Sequence, residues 1–145
     1  MTTTTAPPVD SRVIGLAHYA ARAVLERVLS RHGVTFQQQI TLRPAVADGP
    51  LDREALAGRV VASLKIDPAE ARAVIGELLT KGLLAADGES IRATDAGRTL
   101  HDTVTAETAP VTARIYAGIS AEDRAVAGRV LTTITERAEA ELAAM

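Results

Sequence analysis

Several side-chain types are scarce in this chain of 145 residues, and each scarcity excludes a class of structure or chemistry. The chain has no cysteine and no tryptophan, and its only aromatic residues are Tyr19, Phe36 and Tyr116. Without cysteine there can be no disulfide framework and no thiolate zinc site. Three aromatic rings are too few for the stacking surface on which proteins bind single-stranded nucleic acids. The core must therefore consist of Leu, Ile, Val and Ala, which favours closely packed helices.

Charge and hydropathy exclude further classes. The net charge is −2, so the chain lacks the overall basic character of a non-specific nucleic-acid binder. No apolar run reaches the 18 residues that suggest a membrane-spanning helix. The opening "MTTTTAPPV" has neither the charged nor the apolar region of a signal peptide. We therefore expect a cytoplasmic protein without a membrane partner, whose residues 1–9 form a flexible tail.

Catalytic and metal-binding motifs are also missing from the sequence. There is no nucleophile elbow, P-loop, dinucleotide fingerprint or HExxH motif. The three histidines, His18, His32 and His101, lack the paired spacing of a metal site. The sequence thus predicts that the protein is not an enzyme and holds neither metal nor cofactor.

Helix start and stop signals divide the rest of the chain into six helices and a hairpin. Thr35 and Gln38 have the spacing of a capping box, and Asp67, Pro68 and Glu70 form an N-cap, N1 and N3 series. We expect Pro44 to kink or end the second helix. The other predicted N-caps are Asp10 or Ser11, Asp52, Thr94 and Ser120.

The stretch after the fourth helix has the pattern of a β-hairpin. Lys81 and Gly82 form a helix stop, after which "LLAA" and "SIRA" flank the turn sequence "DGE". Three helices followed by this hairpin make residues 34–98 a predicted winged helix-turn-helix. A long helix at 10–33 precedes this region, and two helices follow it at 99–145.

The outer helices carry apolar stripes that a single domain of this size cannot cover. In the last helix the stripe consists of Val126, Val130, Leu131, Ile134, Ala138 and Leu142. Pairing with a second copy of the chain would cover such stripes. We therefore expect residues 10–33 and 99–145 to be dimerisation helices.

Four stretches in this order resemble the MarR family of bacterial transcriptional regulators. They are "GVTFQQQITLRPAVADGPLDREALAGRV", "IDPAEARAVIGELLTKGLL", "RATDAGR" and "IYAGISAEDRAVAGRVLTTITERA", and the resemblance covers about residues 13–143. It implies a mainly helical homodimer with one winged helix-turn-helix per subunit. It also implies binding to a pseudo-palindromic duplex and regulation by a small aromatic or phenolic effector.

The resemblance assigns candidate DNA-binding residues to the third and fourth helices and the wing. The family usually places an arginine where this chain has Ala73, and its wing arginine is missing from "ADGES". Arg72 is the predicted major-groove contact, since arginine donates to two acceptors of guanine. Glu70 is expected to cap the backbone N–H of Asp67. The full candidate set is Arg53, Lys65, Ala69, Glu70, Arg72, Ala73 and Arg92.

A second candidate site lies where the family brings its outer helices together. His18, Tyr19, Arg43 and His101 could line an effector pocket there, and ordinary polar residues of a dimer interface are the alternative. The sequence favours a homodimeric, sequence-specific, small-molecule-responsive repressor. The alternative is a degenerate winged-helix dimer that senses a ligand or binds a protein without reading DNA.

Overall fold

A computed structural model describes residues 5–145, which contain six helices and three short strands. In chain order these are α1 (Ser11–Ser30), α2 (Phe36–Asp48), β1 (Leu51–Asp52), α3 (Arg53–Leu64), α4 (Pro68–Thr80), β2 (Leu84–Asp87), β3 (Ser90–Ala93), α5 (Asp95–Tyr116) and α6 (Ala121–Ala144). The chain divides into two compact units, the first ending at Ala109 and the second spanning Pro110–Met145. The predicted fold class, a winged helix-turn-helix with long helices before and after it, is confirmed.

The predicted tail lies only partly within the described residues. Residues 1–4 are outside them, and residues 5–10 are exposed and without regular structure. Asp10 is the N-cap of α1 and accepts a hydrogen bond of 2.8 Å from the backbone N–H of Val13. No helix of the described part of the chain is long and apolar enough to cross a membrane.

The helix starts follow the local signals in the sequence. Thr35 and Gln38 form the predicted capping box, in which each side chain accepts a hydrogen bond from the other residue's backbone N–H. Asp67 caps α4 with Pro68 at its first position, and Ser120 caps α6. The side chains of Thr35, Asp67 and Ser120 therefore each accept a hydrogen bond from a backbone N–H that has no partner within its helix.

The second helix does not end at Pro44. It continues to Asp48 and is terminated by Gly49, whose φ of 73° suits glycine. Because proline has no N–H, the carbonyl of Ile40 loses its usual helical donor, but the helix persists for another turn. Burial of Thr41, Leu42 and Ala45 on the same helix holds it in place.

The wing is part of a three-stranded antiparallel sheet with the order β1-β3-β2. The sequence predicts β2 and β3 but not β1, which pairs Leu51 with Ile91 and Asp52 with Ser90. Asp87 pairs with Ser90, so the hairpin loop is Gly88-Glu89 and not Asp87-Gly88. Gly88 has a φ of 60°, which fits a type II′ turn with glycine at its first central position.

The core lies among α2, α3, α4 and the sheet. Its fully buried members include Leu42, Leu56, Ile75, Leu78 and Ile91. A smaller cluster joins the end of α1 to α5 through Val28, Leu29, Val34 and Val104. The rest of the predicted apolar stripe of α1 stays exposed or half-buried, and α6 has no buried residue.

The C-terminus of α4, the start of β2 and the N-terminus of α5 meet at one tight junction. Gly82 has a φ of 71°, and the N–H of Leu83 donates to the carbonyl of Leu78, which completes a Schellman motif. The Thr94 N–H donates to the carbonyl of Leu83 (3.1 Å), and its hydroxyl donates to that of Gly82 (2.7 Å). A Cβ atom on Gly97 would overlap the carbonyl oxygen of Leu83.

We predict that Gly97→Ala lowers the free energy of unfolding by about 2 kcal/mol, because backbone must move to admit the methyl group. Gly58 is the matched control, since it lies in α3 with open space around the position of a Cβ. Gly58→Ala should stabilise the protein by about 0.5–1 kcal/mol through helix propensity. Urea denaturation at one protein concentration measures both changes. Equal stability of the two variants would contradict the close packing at Gly97.

Candidate nucleic-acid interface

Helices α3 and α4 form the helix-turn-helix, and a left-handed residue makes the turn between them. Lys65 has a φ of 55° and is the only non-glycine residue with a positive φ among residues 5–145. Its ammonium group donates to the carbonyl of Ala62 at the end of α3 (2.5 Å). Lys65, predicted to contact phosphate, therefore also satisfies a carbonyl at a helix C-terminus.

One face of α4 packs into the core and the other is exposed. Ala71, Val74, Ile75 and Leu78 are buried. On the outer face, Ala69, Ala73 and Thr80 are exposed, and Gly76 is half-buried. Because these side chains are small, the backbone of α4 can approach a partner surface closely.

Arg72 is the one cationic side chain within α4, and the structure pairs it with Glu54 of α3. Its Nε donates to Oε1 of Glu54 (3.3 Å) and its Nη2 donates to Oε2 (3.1 Å). The pair is exposed, with 53% of the Arg72 side chain and 59% of the Glu54 side chain accessible. The hydrogen bonds from Arg72 to Glu54, the charge of Glu54 and then that of Asp67 raise the pKa of Arg72 above its ordinary value.

Glu70 has a different partner from the one expected. Its carboxylate accepts a hydrogen bond from Nε2 of Gln37 on α2 (3.0 Å), while the Asp67 carboxylate accepts from the N–H of Ala69 (2.8 Å). The expected bond from Glu70 back to the Asp67 N–H is not formed. Glu70 instead connects the start of α4 with α2, because the two helices pack against each other.

The wing presents one arginine and two carboxylates. Arg92 lies on β3 opposite Ala85 and is exposed. Asp87 and Glu89 are exposed beside the loop, and the carbonyl of Glu89 accepts from the N–H of Arg53 (2.8 Å). Within the described chain no hydrogen bond or ion pair involves the side chain of Arg53 or Arg92. Both cations are thus available to an external anion.

Two of the candidate effector residues, His18 of α1 and His101 of α5, contact side chains of α2. His18 lies edge-on to Tyr19 (5.9 Å between ring centroids) and to Phe36 (6.4 Å), and Arg22 stacks over Phe36 at 4.3 Å. His101 is 3.4 Å from Nε2 of Gln39 through its Nδ1.

Arg43 shares a face of α2 with Phe36 and Gln39 by helical spacing. It is exposed, and no side-chain partner occurs for it among residues 5–145. Sequence reasoning missed Arg22, Phe36 and Gln39, although the i, i+3, i+7 spacing of Phe36, Gln39 and Arg43 was a usable signal.

Gln39 adds an unusual feature to this region. The residue is only 2% exposed, and its Oε1 has no hydrogen-bond partner in the part of the chain described. An orphaned buried acceptor is costly and rare in folded proteins. A hydrogen-bond donor on a bound molecule would satisfy this oxygen.

No group of three or more His, Asp or Glu among the described residues could hold a metal ion.

The second unit, Pro110–Met145, exposes an apolar surface. Ile119, Val126, Leu131, Ile134 and Leu142 are between 39% and 57% exposed. An open groove of about 740 Å³ lies within this unit and is lined in part by Tyr116, Ile119, Gly128 and Leu131. Arg124 stacks over Tyr116 at 4.6 Å on its wall.

Comparison with known proteins gives likeness in structure only. The sequence matches no family profile and no curated protein. A mutant of MarR from E. coli complexed with operator DNA is 14% identical, with 85% of this chain and 91% of that chain covered and a TM-score of 0.70. MarR of Staphylococcus aureus in complex with salicylate and kanamycin is 17% identical, with 90% of each chain covered and a TM-score of 0.75.

A third structure extends the likeness to a protein with another ligand. NadR in complex with 4-hydroxyphenylacetate is 21% identical, with 90% of this chain and 98% of that chain covered and a TM-score of 0.71. Each of these likenesses covers at least 85% of this chain, which is more than the winged helix-turn-helix alone. The chain therefore has the fold of the MarR-type regulators, as the sequence resemblance predicts.

Proposed function

We propose that this protein is a homodimeric, sequence-specific DNA-binding transcription regulator of the cytoplasm, a repressor released by a small aromatic effector. The observation that carries the proposal is the outer face of α4. It presents small side chains, Ala69, Ala73 and Gly76, and the single cation Arg72 lies at its edge beside α3. That surface can enter the major groove closely and donate to a guanine. The sequence carries no known catalytic motif, and we propose no enzymatic activity.

The charge of the region favours reading a few bases over general attraction to DNA. Residues 51–100 contain seven Arg or Lys and eight Asp or Glu. Few phosphates can be neutralised by such a surface, so counterion release contributes little. Arg53, Lys65 and Arg92 would supply the phosphate contacts that position the protein. Specific binding would then rest on Arg72 and on the two-fold repetition of the surface in a dimer.

The apolar surface of the second unit supports the homodimer. A helix of 24 residues with no buried residue has little packing to stabilise it in an isolated subunit. The same surface on a second copy would bury it through a two-fold symmetric interface. A large, self-complementary apolar interface of this kind is typical of obligate dimers.

The aromatic side chains that meet between α1 and α2 support an effector site. His18, Tyr19 and Phe36 offer ring edges, and Arg43 offers an unpaired cation on the same face of α2. The orphaned Oε1 of Gln39 beside His101 could accept from a phenolic hydroxyl. A small aromatic carboxylate or phenol fits this chemistry. Salicylate and 4-hydroxyphenylacetate accompany two of the similar structures.

A second candidate function is a ligand-sensing or protein-binding dimer that no longer reads DNA. The pairing of Arg72 with Glu54 favours it, because the only cation of α4 already has a partner. The wing loop, which carries acid and no arginine, favours it as well. A gel shift with the DNA that flanks the protein's own gene separates the two functions, since only the regulator retards a specific fragment.

We predict different effects for the two arginines on DNA binding. Arg72→Ala should weaken binding to the specific fragment roughly tenfold and relax the preference at one base pair per half-site. Arg92→Ala should weaken all duplexes alike and reduce the salt slope by about one unit per subunit. Fluorescence anisotropy over a salt series measures both quantities. If Arg72→Ala binds as tightly and as selectively as the wild type, Arg72 does not read a base.

We predict that Leu131→Asp dissociates the dimer, because it places an unpaired charge in a buried apolar interface. Thr132→Asp is the matched control, since Thr132 is exposed and lies roughly opposite the centre of the apolar stripe of α6 by helical spacing. Light scattering at micromolar concentration should give a dimer for the wild type and for the control. A well-folded wild-type monomer at that concentration would rule out the obligate dimer.

We predict that salicylate or 4-hydroxyphenylacetate raises the melting temperature of the wild type by binding the folded state. The rise should disappear in Arg43→Ala, because the carboxylate would lose its cation. It should persist in Arg27→Ala, in which an exposed arginine near the end of α1 is removed. Equal stabilisation of all three proteins would reject Arg43 as a ligand-binding residue.

A further inference from the structure

The geometry of the ion pair between α3 and α4 leaves one edge of the Arg72 guanidinium unused. Glu54 occupies the side edge, formed by Nε and one N–H of Nη2. The outer edge, formed by Nη1 and the second N–H of Nη2, has no partner in the described chain. Guanidinium donors lie in one rigid plane, so fixing one edge also fixes the direction of the other.

The outer edge is the one suited to a guanine. The O6 and N7 acceptors of guanine take two parallel N–H donors from one guanidinium. An arginine whose side edge is clamped can still make this contact without losing its carboxylate. It also has less side-chain freedom to lose when it binds, which favours a geometrically defined partner.

The same carboxylate makes Arg72 a poor ligand for phosphate. Glu54 cancels the charge of Arg72 at close range, and its own charge repels nearby phosphates. Non-specific binding depends on net cationic contacts, whereas a base contact depends on direction. The Glu54 carboxylate therefore weakens non-specific binding more than it weakens binding to a site that has a guanine opposite Arg72.

From this geometry we propose that Glu54 is a positioning residue that turns Arg72 from a phosphate-binding cation into a guanine-reading donor. This rests on the proposed DNA-binding function and names the residue that sets its selectivity. Glu54 itself touches no base and acts only through Arg72. The quantity that it controls is the ratio of specific to non-specific affinity.

The test compares Glu54→Gln with a control of the same chemistry elsewhere on the chain. Glu26 pairs with Arg22 on α1 at 2.9 Å, with 45% and 42% of the two side chains exposed. Glu26→Gln therefore removes the same charge from a similar exposed pair that lies outside α3 and α4. The probes are a pool of duplexes with 20 randomised base pairs, the duplex that the wild type enriches from it, and a shuffled duplex of the same composition.

Glu54→Gln should bind the shuffled duplex more tightly, with a salt slope steeper by about one unit per subunit. Its ratio of enriched-duplex to shuffled-duplex affinity should fall roughly fivefold, the lower end of what one bidentate base contact contributes. Selection with this variant should also lose the preference for guanine at the position that Arg72 reads. Glu26→Gln should change neither the ratio nor the selected sequence.

A second comparison separates action through Arg72 from a general effect of charge. In an Arg72→Ala background the ratio of enriched-duplex to shuffled-duplex affinity should already be low. Adding Glu54→Gln to that background should not lower this ratio further. If Glu54→Gln keeps the wild-type ratio and guanine preference, the positioning role is wrong while DNA binding stands. If the wild type enriches no sequence and no variant binds any duplex at low salt, the proposed function fails and this inference fails with it.

Discussion

The close approach of Gly97 to the carbonyl of Leu83 is the constraint on which the arrangement of the winged helix depends. It brings three elements to one point: the end of α4, the start of β2 and the start of α5. Thr94 completes the junction by donating its hydroxyl to Gly82 and its N–H to Leu83, and by accepting from Gly97. Because the last turn of α4 is fixed there, the direction of its exposed face is fixed relative to the wing.

Five of the eight acidic residues between positions 51 and 100 cap a helix or bind a side chain on a neighbouring helix. Asp52 and Asp67 cap helices, and three glutamates bind side chains on neighbouring helices: Glu54 with Arg72, Glu70 with Gln37, and Glu77 with Gln38. The bonds of Arg72 and Glu70 connect the first half of α4 with α3 and α2, and the bond of Glu77 connects its last turn with α2. These carboxylates thus stabilise the packing of the helix-turn-helix. Their negative charge also limits the attraction of this region to phosphate.

The sequence predicted what depends on local chemistry and missed what depends on distant parts of the chain. Helix starts such as Thr35 with Gln38, and the stop at Gly82, require only neighbouring residues and are confirmed. The two residues of β1 carry no strand pattern, since their only reason to be a strand is pairing with β3. Similarly, the partners of Arg72 and Glu70 are set by how the helices cross, which spacing along one helix does not reveal.

The central claim is that two copies of α4 read a duplex, and the sequence that the full-length protein enriches from randomised duplexes tests it most directly. A symmetric dimer should enrich a pseudo-palindrome whose half-sites are centred about one helical turn, roughly 10 bp, apart. Guanine should appear at equivalent positions in both halves, because each subunit offers one arginine from α4. An enriched sequence without two-fold symmetry, or no enrichment at low salt, would contradict the account.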